Sequence, residues 1–165
     1  MQGELNSPLT EKGRAQAAHQ GQILQGCALG GFQFFTSPQG RAVETAGIAL
    51  GAIANDIRTD DRLREIGVGD WSGMLRADLP DVPGIDPFMS HYEIAPNGEG
   101  FARLETRVAA FLAALDGPAV LVTHGITSRI LRTLVIGESA VATPTAHGGQ
   151  GCVYHLKDGV QKLLS

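Results

Sequence analysis

The pattern of hydrophobic and polar positions alternates between strand-like and helical segments along most of the chain. Ala119–Val122 is a run of four apolar residues, two of them β-branched, which predicts a strand buried on both faces. Apolar positions recur at helical spacing in residues 101–115, before this strand, and again after His124, where Gly137 is placed to end the helix. His124 is therefore expected at the carboxyl end of a buried strand.

The amino-terminal half of the chain predicts two helices around one strand. Thr10 is placed to cap a helix that ends at Gly26 or Gly30. Residues 32–36 are rich in aromatic side chains and predict a strand. A second helix is expected to begin at the turn formed by residues 37–41.

The rest of the chain completes this alternation. Ile57 lies in a short segment that predicts an edge strand, and residues 60–100 contain four prolines and predict a long, loop-rich connection. Residues 151–157 and 160–164 predict two strands joined by a tight Asp-Gly turn. The order of elements predicts an α/β fold, a three-layer α/β/α sandwich with a mostly parallel sheet and an antiparallel edge hairpin.

Composition narrows the class of protein. A length of 165 residues with 43% hydrophobic residues favours a single packed domain over residues 1–165. A net charge of -4 argues against a nucleic-acid partner or an anionic membrane surface. Because no long apolar span or signal pattern is visible, a cytoplasmic protein is expected. Neither the two cysteines nor the histidines have metal-ligand spacing, so no metal is expected. We expect no cofactor either.

The carboxyl ends of the predicted strands are the first place to look for a ligand. In open α/β sheets, ligands bind outside these ends, beside helix N-termini that favour anions. His124 is expected at such an end, and Arg41 in the first turn of the second helix. The helix dipole disfavours a cation there, so an anion in the same site would explain Arg41, although a solvated surface arginine is the alternative. Glu65, taken alone, predicts only a solvated loop charge. A phosphate site is the first hypothesis.

Five short segments, taken in order, resemble the histidine phosphatase superfamily, which has the phosphoglycerate-mutase-like fold. They are SPLTEKG at residues 7–13, TSPQGRA at 36–42, LRE at 63–65, NGEG at 97–100 and VTHG at 122–125. Each segment is a weak signal by itself. Their common order over nearly the whole chain is specific to this superfamily.

The resemblance implies a hydrolase, a phosphomonoesterase that works through a phosphohistidine. Arg41 is similar to the arginine that holds the phosphoryl oxygens, a task suited to its planar fork. His124 is similar to the second histidine of the pocket, which donates to the same oxygens. Glu65 is similar to the acid that protonates the leaving oxygen. The resemblance places Gln2, Gly3 and Gly125 in the substrate pocket, together with Arg41, Glu65 and His124.

The sequence departs from the superfamily pattern in one respect. The Arg-His-Gly motif, which ends a central first strand in relatives and supplies the nucleophile, does not occur in the 165 residues. We expect that strand before Met1, which would make the domain N-terminally incomplete and this form inactive. Three explanations stay open: a natural start about twenty residues earlier, a homo-oligomer that pairs the exposed strand edge with another subunit, or an unrelated arrangement.

Other functions are compatible with the same residues. A non-catalytic module could bind a phosphorylated ligand or a protein through Arg41 and His124. Within enzymes, a phosphoglycerate mutase is the alternative, but the resemblance implies longer insertions around a mutase pocket than this chain carries. We expect a phosphorylated small molecule as substrate, selected by residues 75–100. In that stretch Phe88, Met89 and Tyr92 are either pocket lining or core.

Overall fold

A parallel three-stranded sheet organises the chain, of which the computed structural model describes residues 1–81, 87–137 and 149–164. The strands are β1 (Gln33–Thr36), β2 (Arg58–Thr59) and β3 (Ala119–Val122), in the order β2-β1-β3. Thr36 of β1 pairs with Val122 of β3. Both strands therefore end at the same level, and the segments that follow them leave the sheet side by side.

Helices connect these strands and confirm most of the predicted elements. The described residues form α1 (Glu11–Gln25), α2 (Gly40–Leu50), α3 (Pro87–Ile94), α4 (Gly100–Ala113) and α5 (Gly125–Ile136). Short 3-10 turns occur at Asp61–Leu63, Gly69–Trp71 and Arg76–Asp78. The Thr10 hydroxyl caps α1 by accepting from the Gly13 N–H at 3.1 Å, and Gly137 ends α5 with a positive φ of 74°. Among the helices described, none is long and apolar enough to cross a lipid bilayer.

Helix α3 is an element that the sequence did not predict, within the otherwise loop-rich residues 60–100. It has only eight residues, which is too short for a periodic apolar pattern to stand out, and Pro87 opens it. Met89 of α3 is buried in the same core as α4, so this residue is core. The side chain of Phe88 and the whole of residues 82–86 lie outside the described part.

The sheet separates two hydrophobic layers because successive strand residues point to opposite faces. On one face, Phe34 and Val120 pack against the buried residues of α1 and α2. On the other face, Phe35 and Leu121 pack against the core formed by α4, α5 and the loops. Phe35 meets Phe111 of α4 edge to face, with 5.3 Å between ring centroids. The predicted three-layer sandwich is thus confirmed.

The predicted antiparallel hairpin is present and forms a sheet of its own. Strands β4 (Val153–Lys157) and β5 (Val160–Leu164) pair with each other, and the turn residues Asp158 and Gly159 have φ values of 51° and 74°. Positive φ at both turn residues matches the twist of a tight hairpin. The β4 residue Val153 packs against the α1–α2 cluster and Leu156 against the opposite cluster, so the hairpin spans both layers. A homo-oligomer formed through a strand edge stays a prediction.

The contact between α1 and α2 depends on a glycine. Gly21 of α1 is buried against α2, where a Cβ atom added to it would lie 2.9 Å from the Ala49 carbonyl oxygen. Backbone atoms on the facing helix cannot move aside as a flexible side chain could. The two helix axes can therefore approach closely only because this position has no side chain.

We predict that Gly21→Ala destabilises the fold. Overpacking at a tight contact costs about 1–3 kcal/mol, which outweighs the gain of roughly 0.5–1 kcal/mol from replacing a helical glycine by alanine. Urea unfolding should show a lower free energy of unfolding. The control is Gly47→Ala in α2, where a new Cβ meets nothing within 4 Å and stability should rise. A Gly21→Ala variant as stable as Gly47→Ala would contradict this account of the helix contact.

Candidate active site

The candidate site lies where β1 and β3 end. The Ser37 N–H donates to the Val122 carbonyl at 2.9 Å, which carries the parallel ladder one step beyond the strands. Ser37 Oγ then lies 2.8 Å from Nε2 of His124, and both residues are buried. The imidazole therefore sits at the carboxyl edge of the sheet, as the sequence predicted.

The environment of His124 keeps its ring neutral. Burial, followed by the positive charges of Arg41 and Arg107, lowers the pKa of His124 to about 3. Arg107 is itself held by Glu99, with Nη2 and Oε2 2.9 Å apart. A buried neutral imidazole that feels the positive charges of two guanidinium groups is a place where an added anion would be favoured.

Glu65 reaches the site from the loop after the 3-10 turn Asp61–Leu63. Its Oε1 accepts from the N–H of Thr127 at 3.0 Å and from the N–H of Ile66 at 3.0 Å, and its Oε2 accepts from the N–H of Ile126 at 3.2 Å. The first N–H groups of a helix lack partners within the helix and attract negative charge. His124 precedes α5 without capping it with its side chain. Glu65 supplies the missing acceptor and so lies at the helix end that His124 precedes.

Hydrogen bonds from neighbouring segments fix the loop that carries Glu65. Thr123 Oγ1 donates to the Leu63 carbonyl at 2.7 Å, directly before His124 in the chain. The Glu99 N–H donates to the Gly67 carbonyl at 2.8 Å, so the NGEG segment at residues 97–100 closes the other side of the loop. Two of the short motifs, VTHG at residues 122–125 and NGEG at 97–100, therefore hold the loop of Glu65 from its two sides.

Arg41 lies in the first turn of α2, as expected, and is held by the amino-terminal segment. Its Nη1 donates to the Leu5 carbonyl at 2.6 Å and its Nη2 to the Gly3 carbonyl at 2.9 Å. Burial lowers the pKa of Arg41 from its ordinary value, and the charge of Glu65 opposes that shift. The charge of Arg41 also acts on His124. The structure thus gathers Arg41, Glu65 and His124 at one edge of the sheet.

The other predicted pocket residues differ in their placement. Gly3 is buried with a φ of +49°, and a Cβ there would lie 2.6 Å from a methyl carbon of Val68. Gly125 starts α5, and a Cβ on it would lie 3.8 Å from Glu65 Oε2. The exposed side chain of Gln2 instead donates to Ser7 Oγ at 2.9 Å. Gly3 and Gly125 therefore adjoin the cluster, whereas the Gln2 amide is engaged within its own loop.

Tyr92 of α3 is partly buried and feels the charge of Glu65. It packs against the buried cluster around α4 and accepts from Arg76 Nη2 at 2.8 Å. Burial raises the pKa of Tyr92, Arg76 opposes that rise, and the charge of Glu65 adds to it. Tyr92 is therefore partly buried core, and its role in lining the pocket stays a prediction.

Sequence reasoning missed two polar residues of the cluster, Ser37 and Gln39. Ser37 is the residue that follows β1, so the rule that pointed to His124 after β3 could have identified it. Gln39 is 5% exposed, and only the folded arrangement shows its partners. Among the residues described, no group of three or more histidine, cysteine, aspartate or glutamate side chains could hold a metal ion.

Comparison with known proteins places this chain in a family. The family model of the histidine phosphatase superfamily, branch 1, matches residues 1–161. A 2,3-bisphosphoglycerate-dependent phosphoglycerate mutase of Thermoplasma acidophilum is 33% identical over 135 residues, which cover 81% of this chain and 66% of that protein. A glucosyl-3-phosphoglycerate phosphatase of Mycobacterium tuberculosis is 33% identical over 171 residues, covering 92% of this chain and 74% of that protein.

The structural comparison agrees with the sequence comparison. Bacillus stearothermophilus YhfR superimposes with a TM-score of 0.75 and 30% identity, covering 99% of this chain and 86% of that chain. The chain spans about two thirds of the length of the Thermoplasma mutase. The matching family model and the shared fold show that the chain belongs to the histidine phosphatase superfamily, branch 1.

Proposed function

We propose that this domain is built to hydrolyse the phosphomonoester of a small molecule. The observation that carries the proposal is the convergence of Arg41, Glu65 and His124: the Glu65 carboxylate binds the first turn of the helix that His124 precedes, and Arg41 acts electrostatically on both. The phosphatase and the mutase named among the relatives support a phosphorylated small molecule as the substrate class.

Arg41 is proposed to hold the phosphoryl oxygens. A guanidinium has five N–H donors in a rigid fork, and the carbonyls of Gly3 and Leu5 occupy two of them. These two bonds fix the plane of the guanidinium before substrate arrives. A pre-oriented donor needs little reorganisation when charge shifts in the transition state.

His124 is proposed to donate to the same oxygens. Its neutral ring can offer one N–H, and its second nitrogen is available to the Ser37 hydroxyl. A phosphoryl dianion would offset the repulsion from Arg41 and Arg107 that contributes to the low pKa of His124. Substrate binding and protonation of this imidazole are therefore coupled.

Glu65 is proposed to protonate the leaving oxygen. Among the described residues, its Oε1 accepts from the N–H groups of Thr127 and Ile66 and lies 3.1 Å from the Thr127 hydroxyl, which also donates to the Arg64 carbonyl at 2.6 Å, whereas Oε2 accepts from the Ile126 N–H alone. Oε2 also faces Gly125, where the absence of a side chain leaves room for a substrate group. We therefore assign the proton transfer to Oε2.

The covalent step requires a histidine nucleophile. In the proposed reaction its nitrogen forms a bond to phosphorus while the phosphorus–oxygen bond to the leaving group breaks, and that oxygen takes the proton from Glu65. Water then cleaves the phosphohistidine and releases phosphate. The sequence contains Thr-His-Gly but no Arg-His-Gly, so we expect the 165 residues by themselves to lack this step. Phosphate binding without turnover is the second candidate function, favoured by the same observation.

We predict that the 165-residue chain does not turn over p-nitrophenyl phosphate, whereas a chain extended by an upstream strand ending in Arg-His-Gly does. With an alkyl phosphate, whose leaving oxygen needs a proton far more than p-nitrophenolate does, Glu65→Gln in the extended chain should lower kcat by about 10²–10⁴-fold, as expected for a lost general acid. Interconversion of 2- and 3-phosphoglycerate, measured in parallel, distinguishes a mutase. Robust turnover by the short chain that His124→Ala abolishes would identify His124 as the nucleophile and contradict the role assigned to it.

Phosphate binding should depend on Arg41. We predict that Arg41→Ala weakens the affinity for inorganic phosphate or vanadate by about tenfold or more, because charge-assisted hydrogen bonds contribute roughly 1.5–3 kcal/mol each. Isothermal titration calorimetry measures this change. Arg58→Ala is the matched control, since Arg58 bonds to Gln33 at the start of β1, the opposite end of the strand. Binding that both variants retain equally would remove Arg41 from the site.

The buried imidazole should make stability depend on pH. Below pH ~6.5 the unfolded chain takes up a proton on His124 that the folded chain does not accept until about pH 3. We therefore predict that the free energy of unfolding falls as the pH decreases through this window, by at most about 1.4 kcal/mol per pH unit from this residue.

The control variants isolate this contribution. His124→Gln should flatten the pH dependence in urea unfolding measured between pH 4 and 7, and His19→Gln on the exposed face of α1 is the matched substitution. In NMR titrations, saturating phosphate should raise the pH at which the His124 ring protonates. An unchanged slope in His124→Gln would show that the ring is not held neutral.

A further inference from the structure

Gln39 lies at the centre of the contacts that join the three candidate residues. It follows β1 in the turn before α2, and its side chain is almost fully buried. Its Oε1 accepts from the Glu65 N–H at 2.7 Å, and its Nε2 donates to the Gly3 carbonyl at 3.1 Å. One side chain therefore bridges the loop that carries Glu65 and the segment that holds Arg41.

The chemistry of these two partners requires an amide. A backbone N–H can be satisfied only by an acceptor, and a backbone carbonyl only by a donor. Gln39 presents one of each, and the partners leave a single orientation of the amide in which both bonds form. Of the side chains of this length, methionine would satisfy neither partner and glutamate only the N–H of Glu65.

The same bridge extends to Arg41 and His124. The Gly3 carbonyl that accepts from Gln39 also accepts from Arg41 Nη2 at 2.9 Å. On the other side, the backbone N–H of Gln39 donates to Ser37 Oγ at 3.3 Å, and Ser37 contacts His124. Each candidate residue is thus within two hydrogen bonds of Gln39.

We propose that Gln39 is a positioning residue that couples Glu65 to Arg41 through its side-chain amide, so that both face one bound oxyanion. The coupling of the two segments stands on the contacts above, and its consequence for an oxyanion rests on the function proposed in the preceding subsection. Gln39 acts through Gly3 and Glu65 and is not itself assigned a contact with substrate.

Two substitutions of equal length separate this role from simple packing. Gln39→Met fills the same space without hydrogen bonds, whereas Gln39→Glu keeps the acceptor for the Glu65 N–H and loses the donor to Gly3. Amide hydrogen exchange measured by NMR reports directly on the Glu65 N–H. We expect faster exchange at Glu65 in Gln39→Met, and exchange close to that of the unsubstituted chain in Gln39→Glu. Gln22→Met, on the exposed surface of α1, is the matched control.

Affinity for inorganic phosphate, measured by calorimetry, supplies the functional comparison. Gln39→Met should bind phosphate about tenfold more weakly than the unsubstituted chain, the change expected when a buried hydrogen-bonded group loses its partner. Gln22→Met should bind as the unsubstituted chain does. Should Gln39→Met fail to fold, amide exchange in Gln39→Glu decides instead, measured at Glu65 and at Gly40, Arg41 and Ala42. Protection that is kept at Glu65 but changed around Arg41 supports separate roles for the acceptor and the donor of the Gln39 amide.

Three results would overturn the proposal. The first is an exchange rate of the Glu65 N–H in Gln39→Met equal to that of the unsubstituted chain. The second is an equal increase of that rate in Gln39→Met and Gln39→Glu, which a loss of packing alone would produce. The third is phosphate affinity within twofold of the unsubstituted value in Gln39→Met despite an exposed Glu65 N–H. If the unsubstituted chain binds no phosphate, the proposed function fails, and the exchange rates alone then decide for or against Gln39.

Discussion

The parallel register between β1 and β3 is the constraint on which the site depends. With Thr36 opposite Val122, the chain leaves both strands at one level, and the Ser37 N–H reaches the Val122 carbonyl. A slip of one residue would turn the side chain of each following residue to the opposite face of the sheet. Ser37 and His124 would then no longer meet. The backbone ladder, rather than any local preference of histidine, decides where the imidazole lies.

A second constraint is the unsatisfied N-terminus of α5. Its first N–H groups need acceptors, and the residue before the helix does not supply one with its side chain. The carboxylate of Glu65 fills this requirement from a segment without regular secondary structure, where a charged side chain would ordinarily point to solvent. A helix end thus fixes a loop residue, and the contacts of Thr123 and Glu99 with neighbouring carbonyls keep that loop in place.

The charge of Arg41 is compensated by groups that the helix dipole alone does not include. The helix dipole disfavours a guanidinium in the first turn of α2, which motivated the expectation of an anion in the same site. In the folded chain, the carbonyl oxygens of Gly3 and Leu5 already provide partial negative charge. These acceptors come from a segment more than thirty residues away and have no signature in the sequence. The Gly3 carbonyl also links Arg41 to Gln39, for which the sequence indicated no separate role.

The sequence by itself determined the elements with strong periodicity or turn chemistry: α1 with its Thr10 cap, α4, β3, α5 ending at Gly137, and the Asp158-Gly159 hairpin. It also indicated the superfamily, because the order of the five motifs along the chain can be recognised without knowing how close their residues lie in the fold. Tertiary structure alone decided the short helix α3, the separation of the hairpin from the parallel sheet, and the partners of Arg41, Glu65 and Gln39. These features depend on backbone donors and acceptors from distant segments. Nearly every residue has the same backbone N–H and carbonyl groups. The residue types along the chain therefore do not reveal which of these groups will pair.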